Sequence, residues 1–236
     1  MRERLGIGVA LLLFACGQPA HSQTLGPTPY LSSANSPFNS VSFSYFHRET
    51  FEDHLLNTPG VSADGGGVTS TITALNNRDS VDADDGSIDG SGLNGDSYFR
   101  SVGSTGVRFT FNAGVLGSLP THAGIVWTDG GGGPLSPITF EAFDQNGASL
   151  GVVTGNHADL ASTGQTAEDR FYGAIHAGGI SSIRLRNQFG GIEMDHLQYG
   201  RAVVGAAVPE PISAALFAPG LAALGLVRRR RGARRG

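Results

Sequence analysis

Apolar and polar residues alternate in short runs along most of the chain. Every second residue is apolar from Val107 to Phe111 and again from Ile138 to Ala142. A period of two puts alternate side chains on one face of a strand, so each run predicts a strand with one buried face. Similar runs lie at residues 41–45, 68–72, 123–127, 150–153, 171–175, 183–185 and 192–194. Together these runs predict about nine strands.

The residues between the runs favour tight turns over helices. No stretch of the body keeps a 3.6-residue apolar period for three turns. The chain contains 36 glycines, and Asn146-Gly147 separates two of the runs in the manner of a hairpin turn. Short strands joined by tight turns are typical of all-β folds. We therefore predict one all-β domain, a jelly-roll-like β-sandwich over residues 40–200.

The N-terminus has the three-part layout of a secretory signal peptide. Two arginines precede an apolar run at residues 7–15, and a small-residue pattern follows at residues 20–22. We expect a signal helix, residues 1–22, that is removed after Ser22 when the chain is exported. In a second interpretation, residues 13–16 form a lipoprotein box and Cys16 becomes the lipidated N-terminus.

The C-terminal segment, residues 208–236, combines a proline motif, an apolar stretch and a basic cluster. The motif is Pro209-Glu210-Pro211, and the cluster begins with Arg228, Arg229, Arg230 and Arg231. The sixteen residues 212–227 between them carry no charge. As a short helix they rise only about 24 Å, less than the ~30 Å hydrocarbon core of a bilayer. Basic residues stay on the cytoplasmic side, which places the body outside. Hydropathy alone also fits a plain tail anchor.

This order of proline motif, apolar helix and terminal arginines resembles the PEP-CTERM sorting signal of Gram-negative bacteria. The resemblance covers the last 29 residues. It implies an exosortase-type membrane protease as a partner, transient anchoring in the inner membrane and removal of the tail. The body would then pass to the cell surface or to an extracellular polysaccharide matrix. The resemblance concerns location rather than activity.

Parts of the body resemble a domain that recurs in PEP-CTERM surface proteins. The similar segments are residues 79–90, 124–130, 166–171 and 191–200. The resemblance implies a fold similar to that of carbohydrate-binding jelly rolls, in a family with no assigned activity. The proline-containing residues 23–39 and the short segment 201–207 are then expected to be linkers on either side of the domain.

Charge separates the tail from the body. Six of the sixteen basic residues fall in the last nine positions, and the chain has no lysine. Between residues 23 and 207, acidic residues outnumber arginines by more than two to one. We therefore expect no nucleic-acid partner, because phosphates require a basic patch. The single cysteine lies within the signal peptide, so the mature chain is expected to lack disulfides.

An acidic loop after residue 79 is the first candidate for a calcium site. Its oxygen donors Asp85, Ser87, Asp89 and Asp96 fall at positions 1, 3, 5 and 12 of a calcium loop. The last position holds Asp instead of the usual Glu. The alternative is a solvated acidic turn without a bound ion.

Carboxylates near the two ends of the body form a second candidate. Glu52 follows the first predicted strand, and Asp195 lies on the last one. Carbohydrate-binding jelly rolls join such strands through a structural calcium ion, and the resemblance implies the same role here. Alternatively, Asp195 and Glu193 face solvent or pair with a surface arginine, which stabilises the fold little.

Trp127 is a candidate for stacking on a sugar ring. Only Thr128 and Asp129 separate it from a glycine-rich loop at residues 130–133. Its alternation with Ile125 also fits a core position, and large aromatic residues are mostly buried. The sequence therefore leaves a binding role and a core role open, and it favours the core.

These features favour a non-catalytic surface module that is stabilised by calcium and binds extracellular polysaccharide weakly. One alternative is a glycan hydrolase that uses Glu193, Asp195 or Glu168, because Glu193 and Asp195 share one face of a strand. The other alternative is a purely structural matrix protein. The sequence contains no paired zinc-type histidines, no Gly-x-Ser-x-Gly elbow and no Walker loop.

Overall fold

Within the described residues, twelve β-strands provide nearly all of the regular structure. The computed structural model describes residues 22–70, 79–81, 95–131, 136–158 and 168–203. The strands are β1 (Ser22–Pro29), β2 (Phe43–Glu49), β3 (Val61–Ala63), β4 (Gly67–Ser70), β5 (Asp96–Arg100), β6 (Val107–Phe111), β7 (His122–Gly130), β8 (Ile138–Phe143), β9 (Ser149–Gly155), β10 (Arg170–His176), β11 (Ser182–Arg186) and β12 (Ile192–Ala202). The helical elements are a 3-10 turn at Ser33–Asn35 and α1 (Ala113–Leu116).

The strands form two antiparallel sheets. Sheet A has seven strands in the order β1-β10-β7-β12-β5-β4, and β2 also pairs with β12. Sheet B has five strands in the order β3-β6-β11-β8-β9. The two sheets share one apolar interior, so the predicted all-β sandwich is confirmed. The predicted signal helix and the predicted C-terminal helix lie outside the described residues.

The interior is built from the apolar positions of the alternating runs. Phe109 on β6, Ile125 on β7 and Phe140 on β8 are completely buried in one cluster. Successive side chains of a strand point to opposite faces, so these residues meet between the two sheets. Burying a side chain of this size contributes about 1.5–3 kcal/mol. The strands predicted around these three residues are confirmed.

The N-terminal segment covers the outer face of sheet A. β1 pairs with β10 along the edge of the sheet. After β1, Tyr30 and Phe38 pack on Val126 and Phe171 in a second apolar cluster. The prediction of a linker at residues 23–39 is therefore wrong. Its prolines were a poor guide, because an edge strand tolerates proline where the ladder does not need its N–H.

β12 is the long central strand of sheet A. It pairs with β7 on one side, and with β5 and β2 on the other. It ends at Ala202, where the first compact unit of the chain also ends, so the strand runs two residues past the predicted domain boundary. The Pro-Glu-Pro motif and the arginine cluster lie outside the described residues. In the part of the chain that the structure describes, no helix is both long and apolar enough to span a membrane.

Candidate functional site

A β-bulge in β12 organises the outer face of sheet A. The pairing of β12 with β7 shifts between Asp195 and Gln198, and His196 has a left-handed backbone conformation with φ of 44°. Residues 192–194 pair with β5, whereas residues 197–202 pair with β2. The bulge therefore falls where β12 changes its neighbour. Bulges redirect side chains and are frequent beside functional sites.

The carboxylate of Asp195 holds the segment 79–81 against this bulge. Its Oδ2 accepts hydrogen bonds from Ser80 Oγ at 3.0 Å and from Val81 N at 2.9 Å. Its Oδ1 accepts from the backbone N of His196 at 2.5 Å. Asp195 is completely buried. Hydrogen bonds to a charged acceptor contribute about 1.5–3 kcal/mol each, so these contacts fix the segment firmly.

Further buried carboxylates continue from Asp195 along the same face. Glu193 Oε2 accepts from Asp79 N at 2.8 Å, and Thr128 Oγ1 donates to Asp79 O at 3.3 Å. We define the acidic band as the buried carboxylates Asp79, Asp129, Glu168, Glu193 and Asp195, each at most 4% exposed. Burying several carboxylates together is costly unless donors, protons or cations offset their charge.

Asp129 carries the strongest electrostatic perturbation in the acidic band. It is 1% exposed, and its Oδ1 accepts from Gly130 N at 2.5 Å. The side chain of Glu168 also shares a hydrogen bond with the carboxyl group of Asp129. Burial, followed by the charges of Glu193 and Glu168, raises the pKa of Asp129 to about 9. Asp129 therefore keeps its proton at neutral pH unless a cation takes its place.

The same carboxyl group borders a small cavity. Asp129 and Glu193 line it together, and its volume is about 150 Å³. The remaining lining residues are Phe99, Gly130, Gly131, Gly190 and Gly191. A cavity of this size has room for water or an ion next to Asp129.

The structure places three of the predicted calcium ligands in one region. Asp96 N donates to Glu52 Oε1 at 2.7 Å. A side chain at Gly95 would collide with Ser80 Oγ and would also approach Glu52 Oε1, and Ser80 donates to Asp195. Glu52 and Asp96 therefore lie around the same contact that Asp195 holds. Asp96, from the first calcium candidate, therefore lies in the same region as Glu52 and Asp195, which form the second candidate.

The other predicted loop ligands, Asp85, Ser87 and Asp89, lie outside the described residues. Within the described ranges, no three His, Cys, Asp or Glu side chains are grouped so that they could hold a metal ion. His54 Nδ1 forms a short contact with Asp96 Oδ2, which occupies that carboxylate oxygen. The described side chains thus do not by themselves form a ligand set for a metal ion.

Trp127 belongs to the core and not to a binding surface. It is completely buried in the cluster between the sheets. Its ring meets that of His157 edge to face, with the centroids 5.0 Å apart. Burial, with a smaller effect of Arg170, lowers the pKa of His157 to about 4, as expected in an enclosed environment. The prediction that Trp127 stacks on a sugar is therefore wrong, and its alternation with Ile125 indicated the core position.

An open cleft lies at one end of sheet B. Its volume is about 370 Å³, and it is lined by Ser104, Pro137, Thr139, Arg186, Asn187 and Gln188. Thr139 on β8 and Arg186 on β11 are cross-strand partners. The lining provides hydroxyl, amide and guanidinium groups for hydrogen bonds. We call this feature the β11 cleft.

Asn187 fixes the loop that forms one wall of the β11 cleft. Its Nδ2 donates to the carbonyls of Phe189 at 2.7 Å, Gly191 at 2.8 Å and Gly131 at 3.2 Å. Phe189, one residue beyond the lining residue Gln188, is 54% exposed. The sequence analysis missed Phe189. The available signal was an aromatic residue in a glycine-containing connection between two predicted strands.

The carboxylates of the hydrolase alternative lie away from this cleft. Glu168, Glu193 and Asp195 are at most 4% exposed, and none of them is among the residues described as lining the β11 cleft. Asp195 already accepts three hydrogen bonds. Among the described residues, the geometry therefore brings none of these three carboxylates to the β11 cleft.

Comparisons with known proteins found limited similarity to two solved structures. No protein-family model and no curated protein matches the chain. The enzymatically active domain of tailspike protein 4 from bacteriophage CBA120 is similar over 64% of this chain and 20% of its own, at 14% identity and a TM-score of 0.32. The chain thus spans about a fifth of that tailspike chain. The C-terminal family 22 carbohydrate-binding module of Clostridium thermocellum Xyn10B is similar over 72% of this chain and 98% of its own, at 12% identity and a TM-score of 0.27.

We predict that Asp129→Asn flattens the pH dependence of stability. The pKa of Asp129 is about 9 in the folded chain, against about 3.9 in an unfolded chain. The folded state therefore holds a proton that the unfolded state releases. This contribution to stability is fully present below about pH 4 and is lost as the pH rises towards 9, at about 1.4 kcal/mol per unit of pKa difference.

Thermal unfolding with chelator present, from pH 4 to pH 9, measures this effect. The melting temperature of the wild type should fall more across this window than that of Asp129→Asn. Glu141→Gln, on sheet B, is the control and should keep the wild-type slope. If the Asp129→Asn curve runs parallel to that of the wild type, the proton on Asp129 does not couple to folding.

Proposed function

We propose that this chain is an exported surface protein whose sandwich binds extracellular polysaccharide without catalysing a reaction. The β11 cleft is the observation that carries this proposal. It is open and polar, has a volume of about 370 Å³, and its lining residue Gln188 is followed in the chain by the exposed Phe189. Sugar rings present hydroxyl groups around apolar faces. They are therefore recognised by hydrogen-bonding side chains together with an aromatic surface.

The proposed topology is a jelly roll, and the strand order supports it. Four strands of sheet A, β2-β12-β7-β10, are neighbours in that order, and so are four strands of sheet B, β6-β11-β8-β9. From β6 to β12 the chain changes sheet at every connection except the one between β8 and β9. Two interleaved Greek keys produce this pattern.

The proposed route to the cell surface rests on the two ends of the sequence. The signal-peptide layout of residues 1–22 supports export. The Pro-Glu-Pro motif before an apolar stretch and an arginine cluster supports transient anchoring in the inner membrane and cleavage by an exosortase-type protease. The body would then remain at the cell surface or in the surrounding polysaccharide.

We also propose a structural calcium ion at the contact between Asp195 and Ser80. The segment 82–94, which contains the predicted ligands Asp85, Ser87 and Asp89, has both of its flanking residues here. Val81 N bonds to Asp195 at one end, and Gly95 lies against Ser80 at the other. Calcium takes six to eight oxygen ligands, and a cation would offset the repulsion within the neighbouring acidic band.

The binding proposal predicts that Phe189→Ala weakens retention of the mature domain on polysaccharide from the native host. Loss of an aromatic contact costs about 1.5 kcal/mol, which corresponds to roughly tenfold in affinity. Leu55→Ala is a matched control, because Leu55 is 56% exposed at a different site. Wild-type protein that is not retained at all would favour the structural matrix role. Breakdown of the polysaccharide would favour the hydrolase.

The calcium proposal predicts a higher melting temperature in calcium than in chelator. At twenty times the dissociation constant, the ion should stabilise the fold by about 1.8 kcal/mol, or roughly 4–7 °C for a domain of this size. Asp89→Asn and Glu52→Gln should each reduce this shift, whereas Glu141→Gln should not. Magnesium should substitute poorly, because it prefers a tighter octahedral shell. Identical melting curves in calcium and in chelator would contradict the proposal of a structural calcium ion.

The sorting proposal predicts that protein recovered from the surface of the native host lacks Arg228–Arg231. Intact-mass measurement of the mature chain tests this directly. Replacing Pro209 and Pro211 with alanine should leave the arginine tail attached and the chain in the membrane fraction. A wild-type surface protein that retains the tail would be incompatible with exosortase processing.

A further inference from the structure

The outer face of sheet B carries arginines, although the body as a whole is acidic. Arg184 and Arg186 alternate with the buried Ile183 and Leu185 on β11, so their side chains lie on the outer face. Arg108 on β6 is the cross-strand partner of Arg184. We define the arginine patch as Arg108, Arg184 and Arg186. Carboxylates are the more common charged groups in this body, and they would be sufficient for solubility alone.

Two members of the arginine patch are held in fixed orientations. Arg184 donates from Nε at 3.1 Å and from Nη2 at 2.5 Å to the carbonyl of Thr105. Arg108 donates from Nη1 to Ser182 Oγ at 3.0 Å, and its guanidinium lies 4.0 Å from the ring centroid of Phe143. Side chains that are already ordered lose less conformational entropy when a ligand binds.

Arg186 joins the patch to the β11 cleft. It lines the cleft and is exposed at the end of β11. Among the described residues, no hydrogen bond or ion pair engages its guanidinium. A free guanidinium is suited to a carboxylate or a sulfate, because its planar N–H groups bind two oxygens at once. Glu141 on β8 is the cross-strand neighbour of Arg184 on this face.

We infer that the ligand of the β11 cleft is an acidic polysaccharide, with carboxylate or sulfate groups bound by Arg186 and the rest of the arginine patch. This inference rests on the proposed function and names the class of polysaccharide. A polymer with charges at regular intervals can contact several of these arginines at once. Residues two apart on a strand lie about 6.6 Å apart, and cross-strand neighbours lie about 5 Å apart. The acidic remainder of the body repels a polyanion, so binding is confined to this face.

Affinity electrophoresis of the mature domain in gels with different polysaccharides tests the inference. The gels contain polygalacturonate, a sulfated dextran or neutral dextran. We expect retardation in the first two gels only, and a loss of retardation with rising salt, because salt screens exposed charges. The carboxylate gel and the sulfate gel distinguish the two sources of negative charge.

Variants assign the binding to the arginine patch. Arg186→Gln should weaken retardation about tenfold, the effect expected when a charged hydrogen bond is lost. Arg186→Lys should recover it only in part, because lysine keeps the charge but not the planar pair of donors. Glu141→Gln should strengthen it by removing a like charge. Arg48→Gln, which removes the same charge from sheet A, is the matched control and should bind as the wild type does.

The outcomes separate the inference from the function on which it rests. Retardation by neutral dextran alone would overturn the inference and leave the proposed polysaccharide binding standing. Retardation by none of the gels, nor by host polysaccharide, would overturn both. If acidic gels retard Arg186→Gln and Arg48→Gln equally, the binding is a property of net charge, and the assignment to the β11 cleft is overturned.

Discussion

The buried carboxylate of Asp195 is the contact on which the outer face of sheet A depends. It lies in the bulge where β12 stops pairing with β5 and begins to pair with β2. It accepts hydrogen bonds from Ser80, Val81 and His196. An isolated charge in this position would cost several kcal/mol, so the three donors are necessary. Because two of these donors belong to the segment 79–81, the same carboxylate holds the N-terminal flank of the acidic loop against sheet A.

The two faces of the sandwich therefore have different roles. Sheet B covers the inner face of sheet A, and Tyr30, Phe38 and Val81 cover its outer face. β7 is therefore buried along its whole length. The buried polar groups of sheet A lie beneath other chain segments, away from solvent. Sheet B keeps its outer face open, and the β11 cleft with its arginines lies there. The charges also differ: the buried carboxylates of the acidic band lie on sheet A, and the arginine patch lies on the outer face of sheet B.

The sequence was most informative where the structure depends on local periodicity. The alternation around Phe109, Ile125 and Phe140 predicted buried strands correctly, because the pleat alone decides which side chains face inwards. The prediction failed for Tyr30 and Phe38, whose burial depends on strands far away in the chain. It also could not reveal that Asp195 is covered, because Ser80 lies 115 residues earlier. Phe189 escaped notice because a loop has no periodicity from which its exposure could be deduced.

The position of β12 affects how the domain is made. This strand, the last that the structure describes, lies at the centre of sheet A and pairs with β2, β5 and β7. Until residues 192–202 emerge, β2 lacks its partner and β5 and β7 each lack one of their two neighbours, because a chain is synthesised from its N-terminus. Pairing of this kind joins residues that are distant in sequence, so it forms late and slowly. The sandwich therefore cannot close until nearly the whole domain has been synthesised.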